Sequence, residues 1–161
     1  MSRKVEQGNA EGMNARSGVL VGRFDHAFDS KKRVTIPSEW RALMGNPEYV
    51  YVMPDPTERC LDLVPMAEME SRLEKLREKA LFDPVANRAL QTIGSISELP
   101  PLDIQGRIRI SDKLLQFANL TTTVAMLGSV RMVKLWDPAA LAPAETVDQA
   151  ALASALQEAG F

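Results

Sequence analysis

Asp29 and Arg33 stand four positions apart in the stretch FDSKKRVTIP, and the same pair returns as Asp103 and Arg107 in LDIQGRIRIS. On a helix this spacing gives a surface ion pair worth only about 0.3 kcal/mol. The residues that follow, VTIP and RIRIS, alternate as strands do, so each pair is read as opening a tight turn into a short strand. In such a turn the Asp carboxylate accepts hydrogen bonds from backbone N–H groups about two residues on, which fixes the loop and aims the later Arg outward. A guanidinium at a hairpin tip presents a planar fork that suits phosphate oxygens or the O6 and N7 acceptors of guanine. Lys31 and Lys32 add less directional charge beside Arg33. The chemistry these residues suit is recognition of nucleic acid, and the bland alternative is a solvated turn whose charges keep the chain soluble.

The elements that must hold these turns repeat along the chain. DSKKRVTIPSEWRALMG from Asp29 aligns with DIQGRIRISDKLLQFAN from Asp103, an offset of 74 residues, so that Val34 meets Ile108 and Ile36 meets Ile110. YVYVM at 49–53 is echoed by TTVAML at 122–127, and CLDLV at 60–64 by MVKLW at 132–136. Each half reads as a strand, the turn, a short strand, a short helix and two more strands, or ββαββ. In the first half GVLVGRFDHAF is the leading strand, Ser38 is the expected helix cap after Pro37, and Gly45 closes a helix carrying Trp40, Leu43 and Met44. In the second, Asp112 takes the capping place of Ser38.

Between the halves the composition changes. Met69, Leu73, Leu76 and Ala80 recur by four, three and four and predict one helix. Asp83 and Pro84 form the cap and first position of a second, with Val85, Ala89, Ile93 and Ile96 along one side. The two stripes are read as core packing within a helical hairpin and not as a partner-binding groove. The Ala-rich end, AETVDQAALASALQEAG, has the pattern of an amphipathic helix and carries no chemical signal. The resulting division is an arm at 1–15 expected to be disordered and dispensable for folding, half-domains at 17–65 and 98–138, a helical hairpin at 66–97 and a tail at 139–161.

Composition narrows the function classes. At 161 residues the chain buries a core without staples, and 19 Lys and Arg against 21 Asp and Glu exclude a uniformly basic coat while permitting local patches. Cys60 is the only cysteine, so no intrachain disulfide forms and no Cys-rich metal site is available. One histidine and one cysteine without paired partners argue against an enzyme, and neither a cofactor nor a metal is expected. Cys60 reads as a small buried apolar side chain. Residues 1–15 hold no apolar run resembling a signal peptide, and no uncharged apolar stretch approaches the length of a membrane span, so the expected compartment is the cytoplasm.

VLVGRFDHAFDSKKRVTIPSEWRALM and LDIQGRIRISDKLLQFANLTTTVAMLGSVRMVKLW resemble the two DxxxR half-domains of the MraZ family, bacterial DNA-binding regulators built from tandem AbrB-like swapped-hairpin units. The resemblance covers roughly residues 17–138 and includes both turns, their strand context and the helical hairpin between them. It implies an α+β, mainly β fold in which the halves close on each other as an intrachain barrel, with protomers assembling into a homo-oligomeric ring larger than a dimer. It also implies binding to short direct repeats in promoter DNA upstream of the division and cell-wall gene cluster, usually as a repressor, and hence a nucleoid location without a membrane. Position by position, the DNA-contacting arginines fall on Arg33 and Arg107, with Asp29 and Asp103 as loop partners and Gly106 shaping the second turn. His26, in the HxxD context, matches the family pattern beside the DNA, and Lys31, Lys32, Arg41 and Arg109 complete the candidate set.

Two departures from the family pattern carry expectations. Where the second turn has Gly106 the first has Lys32, and a non-glycine residue forced into a left-handed conformation costs about 1 kcal/mol, so the first loop is expected to be shaped differently. Pro37 has no counterpart at Ser111 and Arg41 corresponds to Leu115, which leaves fewer cations near the second turn and suggests a mainly structural role there. A second function class is a protein-interaction or antidote-like module, since the swapped-hairpin fold serves both, and fold alone does not separate them. DNA binding through a basic tip predicts a steep salt dependence that an apolar protein interface lacks.

Overall fold

A computed structural model of the chain describes residues 19–144 and 148–161, and the arm expected at 1–15 lies outside the described residues. Alternating apolar residues form strands at Arg23–Ala27 (β1), Arg33–Thr35 (β2), Tyr51–Pro54 (β3), Leu61–Val64 (β4), Arg107–Arg109 (β5), Thr123–Gly128 (β6) and Val133–Trp136 (β7). Helices occupy Ser38–Leu43 (α1), Met66–Ala80 (α2), Pro84–Ile96 (α3), Asp112–Phe117 (α4), Pro138–Ala144 (α5) and Gln149–Glu158 (α6). The fold is α+β with antiparallel sheets, and the five longer strands pair in the order β1-β6-β7-β4-β3.

β2 and β5 pair only with each other, setting Val34 opposite Ile108 and Arg33 opposite Arg109. Because each has three residues, the ribbon ends before it can join the sheet edges, and among the described residues the expected closed barrel is not formed. The first half keeps the ββαββ order. In the second the leading strand shrinks to isolated bridges, Val52 with Glu98 and Tyr49 with Pro101, because Pro100 and Pro101 have no N–H to donate to a ladder. Those bridges fall where the 74-residue offset maps the β1–β6 pairs Phe24 with Met126 and Ala27 with Thr123.

One face of the large sheet and the inner face of the ribbon close over the main core. Val34, Ile36, Ile108 and Ile110 point inward together with Trp40, Leu63, Val52 and Leu135. Trp40 donates its indole N–H to the Val21 carbonyl at 3.0 Å and meets Phe24 edge-on, so its polar atom is satisfied inside the core. The opposite face of the sheet carries a smaller cluster of Cys60, Ala125 and Trp136 under Leu141 of α5.

The helix ends correct two details of the sequence reading. Pro37, not Ser38, is the N-cap of α1, and no side chain caps that helix. In α4 the cap is Ser111, whose hydroxyl accepts from the Leu114 N–H, while Asp112 is engaged elsewhere. Gly45 closes α1 at φ +80°, and Asn119 holds the corresponding place after α4 at φ +53°. Asp83 caps α3 through the Val85 N–H at 2.9 Å, with Pro84 at the first turn, as the sequence predicts.

Candidate nucleic-acid interface

Each turn is organised by one carboxylate. Asp29 Oδ1 accepts the backbone N–H groups of Lys31 (2.9 Å) and Arg33 (2.8 Å), while Oδ2 accepts Arg33 Nε at 2.7 Å. Asp103 Oδ1 accepts the N–H groups of Gln105 and Arg107 (2.9 Å each), and Oδ2 accepts Arg107 Nε at 2.7 Å. Backbone bonds close both loops in the same way, Asp29 N–H to the Arg33 carbonyl and Asp103 N–H to that of Arg107, each 3.0 Å. Lys32 takes φ +60° where Gly106 takes φ +77°, so the first loop has the shape of the second, against the expectation that lysine would alter it.

The reason the same shape survives without glycine lies in these bonds. Three donors on one Asp fix the residues on either side of position 32, and Lys32 adopts the left-handed conformation that remains. The side chain then reaches an ion pair with Asp112 at the start of α4. Its carbonyl accepts the Ile110 N–H, just as that of Gly106 accepts the Ile36 N–H.

The electrostatics follow from the geometry. The Arg33 backbone N–H, assisted by its guanidinium and the Lys31 N–H, holds Asp29 below the ordinary carboxylate range against the opposing effect of burial. The Arg107 N–H does the same for Asp103, and the Lys32 ammonium lowers Asp112. Both turn carboxylates are thus fixed as anions, each neutralised by its own arginine.

Antiparallel pairing of β2 with β5 brings the two turns of one chain to a single ribbon. Val34 and Ile108 face the core, which leaves Arg33, Thr35, Arg107 and Arg109 on the other side. Arg33 Nη1 also lies 3.9 Å from Asp103 Oδ2, across the two halves. The arginine heads are not free tips. Nε is spent on Asp in each case, and the side chains are only 28% and 29% exposed.

The remaining sequence candidates take different places. Lys31 and Arg109 are exposed beside the ribbon, and Lys32 is exposed but paired. Arg41 donates Nε to the Ile36 carbonyl at 3.0 Å and lies against Gly106, where a Cβ would come within 2.3 Å of its guanidinium carbon. It braces the second turn from beneath. His26 lies on β1 of the large sheet and not on the ribbon, half-buried and tilted against Phe24. Arg33 and Arg107 make the same bonds to their own Asp at nearly equal exposure, and the added contact of Arg33 with Asp103 is the difference between them.

Sequence reasoning missed a buried cluster where the halves also meet. Lys134 on β7 bonds Asp62 on β4 at 3.2 Å and Asp55 in the β3–β4 loop, with Cys60 alongside. Burial, reinforced by the neighbouring Asp55, pushes Asp62 up to about 6 despite Lys134. Burial opposes ionisation of Asp55 too, but the Lys134 ammonium and the N–H groups of Thr57 and Glu58 outweigh it and hold this carboxyl well below the usual range. Burial raises the Cys60 thiol to about 12. The alternation of CLDLV signals a strand, and the charged residue within it was the one sign of this cluster.

A comparison with protein-family models finds no match. Among curated proteins, the chain is 31% identical over 121 residues to the transcriptional regulator MraZ of Thermomicrobium roseum, covering 74% of this chain and 82% of that protein. It is 30% identical over 127 residues to the transcriptional regulator MraZ of Rhodospirillum rubrum, covering 76% and 81%. The match to the transcriptional regulator MraZ of Clostridium acetobutylicum is 25% identical over 145 residues and spans all of that protein.

Proposed function

The chain belongs to the MraZ family of transcriptional regulators, and from this premise we propose that it is a sequence-specific DNA-binding regulator that reads short direct repeats through the β2–β5 ribbon. In this reading Arg33 and Arg107 contact bases, Arg109 and Lys31 contact phosphate, and Asp29 and Asp103 hold the arginines in register. Protomers assemble as a homo-oligomeric ring, so that several ribbons engage one repeat array upstream of the division and cell-wall gene cluster and repress it. The two halves act as interleaved AbrB-like units, and the protein works at the nucleoid.

The observation that carries the reading is the β2–β5 pairing, which brings Arg33 of the first half beside Arg107 and Arg109 of the second on the ribbon face turned away from the core. Orienting each guanidinium through its Nε leaves a fixed pair of donors, the geometry that bidentate recognition of guanine needs. A ribbon of two strands is narrow enough for the major groove.

Binding of the protein to duplexes carrying one, two and four repeats at two salt concentrations tests it. Affinity is expected to rise with repeat number through effective concentration and to fall steeply with salt. Arg33→Ala and Arg107→Ala each remove about 1 to 3 kcal/mol per engaged protomer and relax sequence preference. Lys31→Ala weakens all duplexes alike and flattens the salt dependence. Affinity that ignores repeat number and salt would refute DNA reading and favour a protein partner.

A further inference from the structure

The stripe of Val85, Ala89, Ile93 and Ile96 lines an open groove, and of the four Ile93 also faces Leu73 across the helical hairpin. The stripe forms one wall of this groove of about 800 Å³, with Met53 and Pro54 of β3 opposite. Phe117 of α4 also lines the groove. Val85 is 76% exposed. A groove this apolar on a solvent-facing side is costly unless something fills it.

The same chain carries an apolar helix face that nothing covers among the described residues. α6 has no buried residue, although Leu152 and Leu156 stand one turn apart on it. Its ends are well made. Asp148 caps it through the Ala150 N–H, and at the other end Gly160 turns left-handed while Phe161 N–H bonds the Leu156 carbonyl. That closing pattern folds Phe161 back toward Leu156 and extends the apolar stripe. A helix of ten residues is nevertheless too short to hold itself in water, so it requires a surface to pack on.

We propose that α6 is the occupant of the groove between α3 and β3, docking within its own chain with Leu152, Leu156 and Phe161 against Val85, Ala89 and Phe117. Three features fit the two surfaces together. The first is length: the wall from Val85 to Ile96 runs about 17 Å and α6 about 15 Å. The second is charge. No Lys or Arg follows Lys134, whereas Asp148 and Glu158 flank the α6 stripe; the groove carries Arg88 on its wall and Arg59 over the Phe117 ring at 5.2 Å, and the acid that lines it, Asp55, is already paired with Lys134.

The third is position. Met53 pairs with Asp62 and Asp62 with Lys134, so Met53 lies on the sheet face that also bears Trp136, where Leu141 seats α5. Asn119, just beyond α4, bonds Asp137 at the foot of α5. The chain therefore leaves α5 on the groove's own side. Residues 145–148 add up to about 14 Å of reach. Tethering at this distance gives an effective concentration in the millimolar range, enough to favour a helix whose intrinsic affinity is modest.

The test installs Val85→Cys and Leu156→Cys in a full-length Cys60→Ala background. Mild oxidation is expected to form a disulfide within one chain, seen as a mass loss of two hydrogens without dimer, at a yield independent of protein concentration. A bridge between two chains, or none, overturns the proposal. Hydrogen exchange on the cysteine-unaltered protein gives a second readout. Amides of α6 are expected to exchange at least tenfold more slowly than unfolded chain, and Ala89→Asp to abolish that protection while leaving β4 and β7 protected. Protection unaffected by Ala89→Asp, or absent in the wild type, also overturns it. Neither readout involves DNA, so failure here leaves the ribbon's proposed role untouched.

Discussion

The two turns reach one backbone shape from different residues. SKKR and IQGR give the same set of hydrogen bonds to the preceding Asp, yet one places a lysine and the other a glycine in the left-handed region. Their supports are exchanged between halves. Gly106 rests on Arg41 of α1, and Lys32 is held by Asp112 of α4. In the second half Leu115 stands where the first has Arg41, buried at 6%, so no guanidinium presses on the first turn and a side chain fits there. The turn shape is therefore encoded by Asp and Arg, and the residue between them is chosen by what packs beneath it.

The largest effect that would test this asymmetry is Gly106→Val. A β-branched residue at φ +77° is strained, and its Cβ displaces the Arg41 guanidinium from the Ile36 carbonyl, so stability is expected to fall by about 3 kcal/mol in chemical denaturation. Adding Arg41→Ala should return part of the loss, because the clash then disappears and only the backbone strain remains. Lys32→Val meets no guanidinium and should lose less than Gly106→Val. Equal losses at the two positions would show that the packing beneath the turns does not distinguish them.

Acid titration sharpens the contrast between these exposed junctions of the halves and the buried one. Asp62 binds its proton more tightly when folded, with its pKa raised to about 6, so its contribution to stability is fully present below about 4, the unfolded value, and is lost as pH rises through 6. Asp29, Asp103 and Asp55 are depressed, so their contributions are present above about 4 and lost as pH falls further. Stability is expected to peak near pH 4 to 5 and to decline by on the order of 2 kcal/mol toward pH 7.5. Asp62→Asn should remove most of that decline, measured by urea denaturation across the range. A decline that persists in Asp62→Asn would assign it to another group.

Much of this was legible in the sequence because it is local. The 74-residue offset, the strands around both turns, Gly45 as a helix stop and the Asp83–Pro84 cap are each set within a few residues. Most of what the sequence did not reveal depends on distant partners. Pairing of β2 with β5 has no local mark, since three alternating residues fit several strands equally well. The capture of each Arg Nε by Asp turned an expected protruding tip into a half-buried, oriented fork. The α3 stripe was legible as apolar but not as outward-facing, because periodicity gives a face and not its neighbour. Lys134 gave no signal of its two buried carboxylates, which lie 72 and 79 residues away.

The smallest effect falls on the residue that sets the two turns apart. Lys32→Gly makes the first turn like the second and relieves a left-handed strain of about 1 kcal/mol. Against this, glycine gives the unfolded chain more freedom, worth about 0.5 to 1 kcal/mol. The exposed pair with Asp112 is also lost, a small contribution because solvent screens it. These contributions nearly cancel, so stability is expected to change by less than about 1 kcal/mol in either direction. Charge does not cancel. One cation per protomer leaves the ribbon, although Asp112 already neutralises part of it, so the slope of log K against log salt on duplex DNA should flatten by somewhat less than 1 per engaged protomer. The Arg33→Ala change in sequence preference should not appear, because the Asp29–Arg33 geometry does not use the Lys32 side chain. If Lys32→Gly instead alters preference while stability and the salt slope hold, the lysine reads a base, and the first turn differs from the second in function as well as in packing.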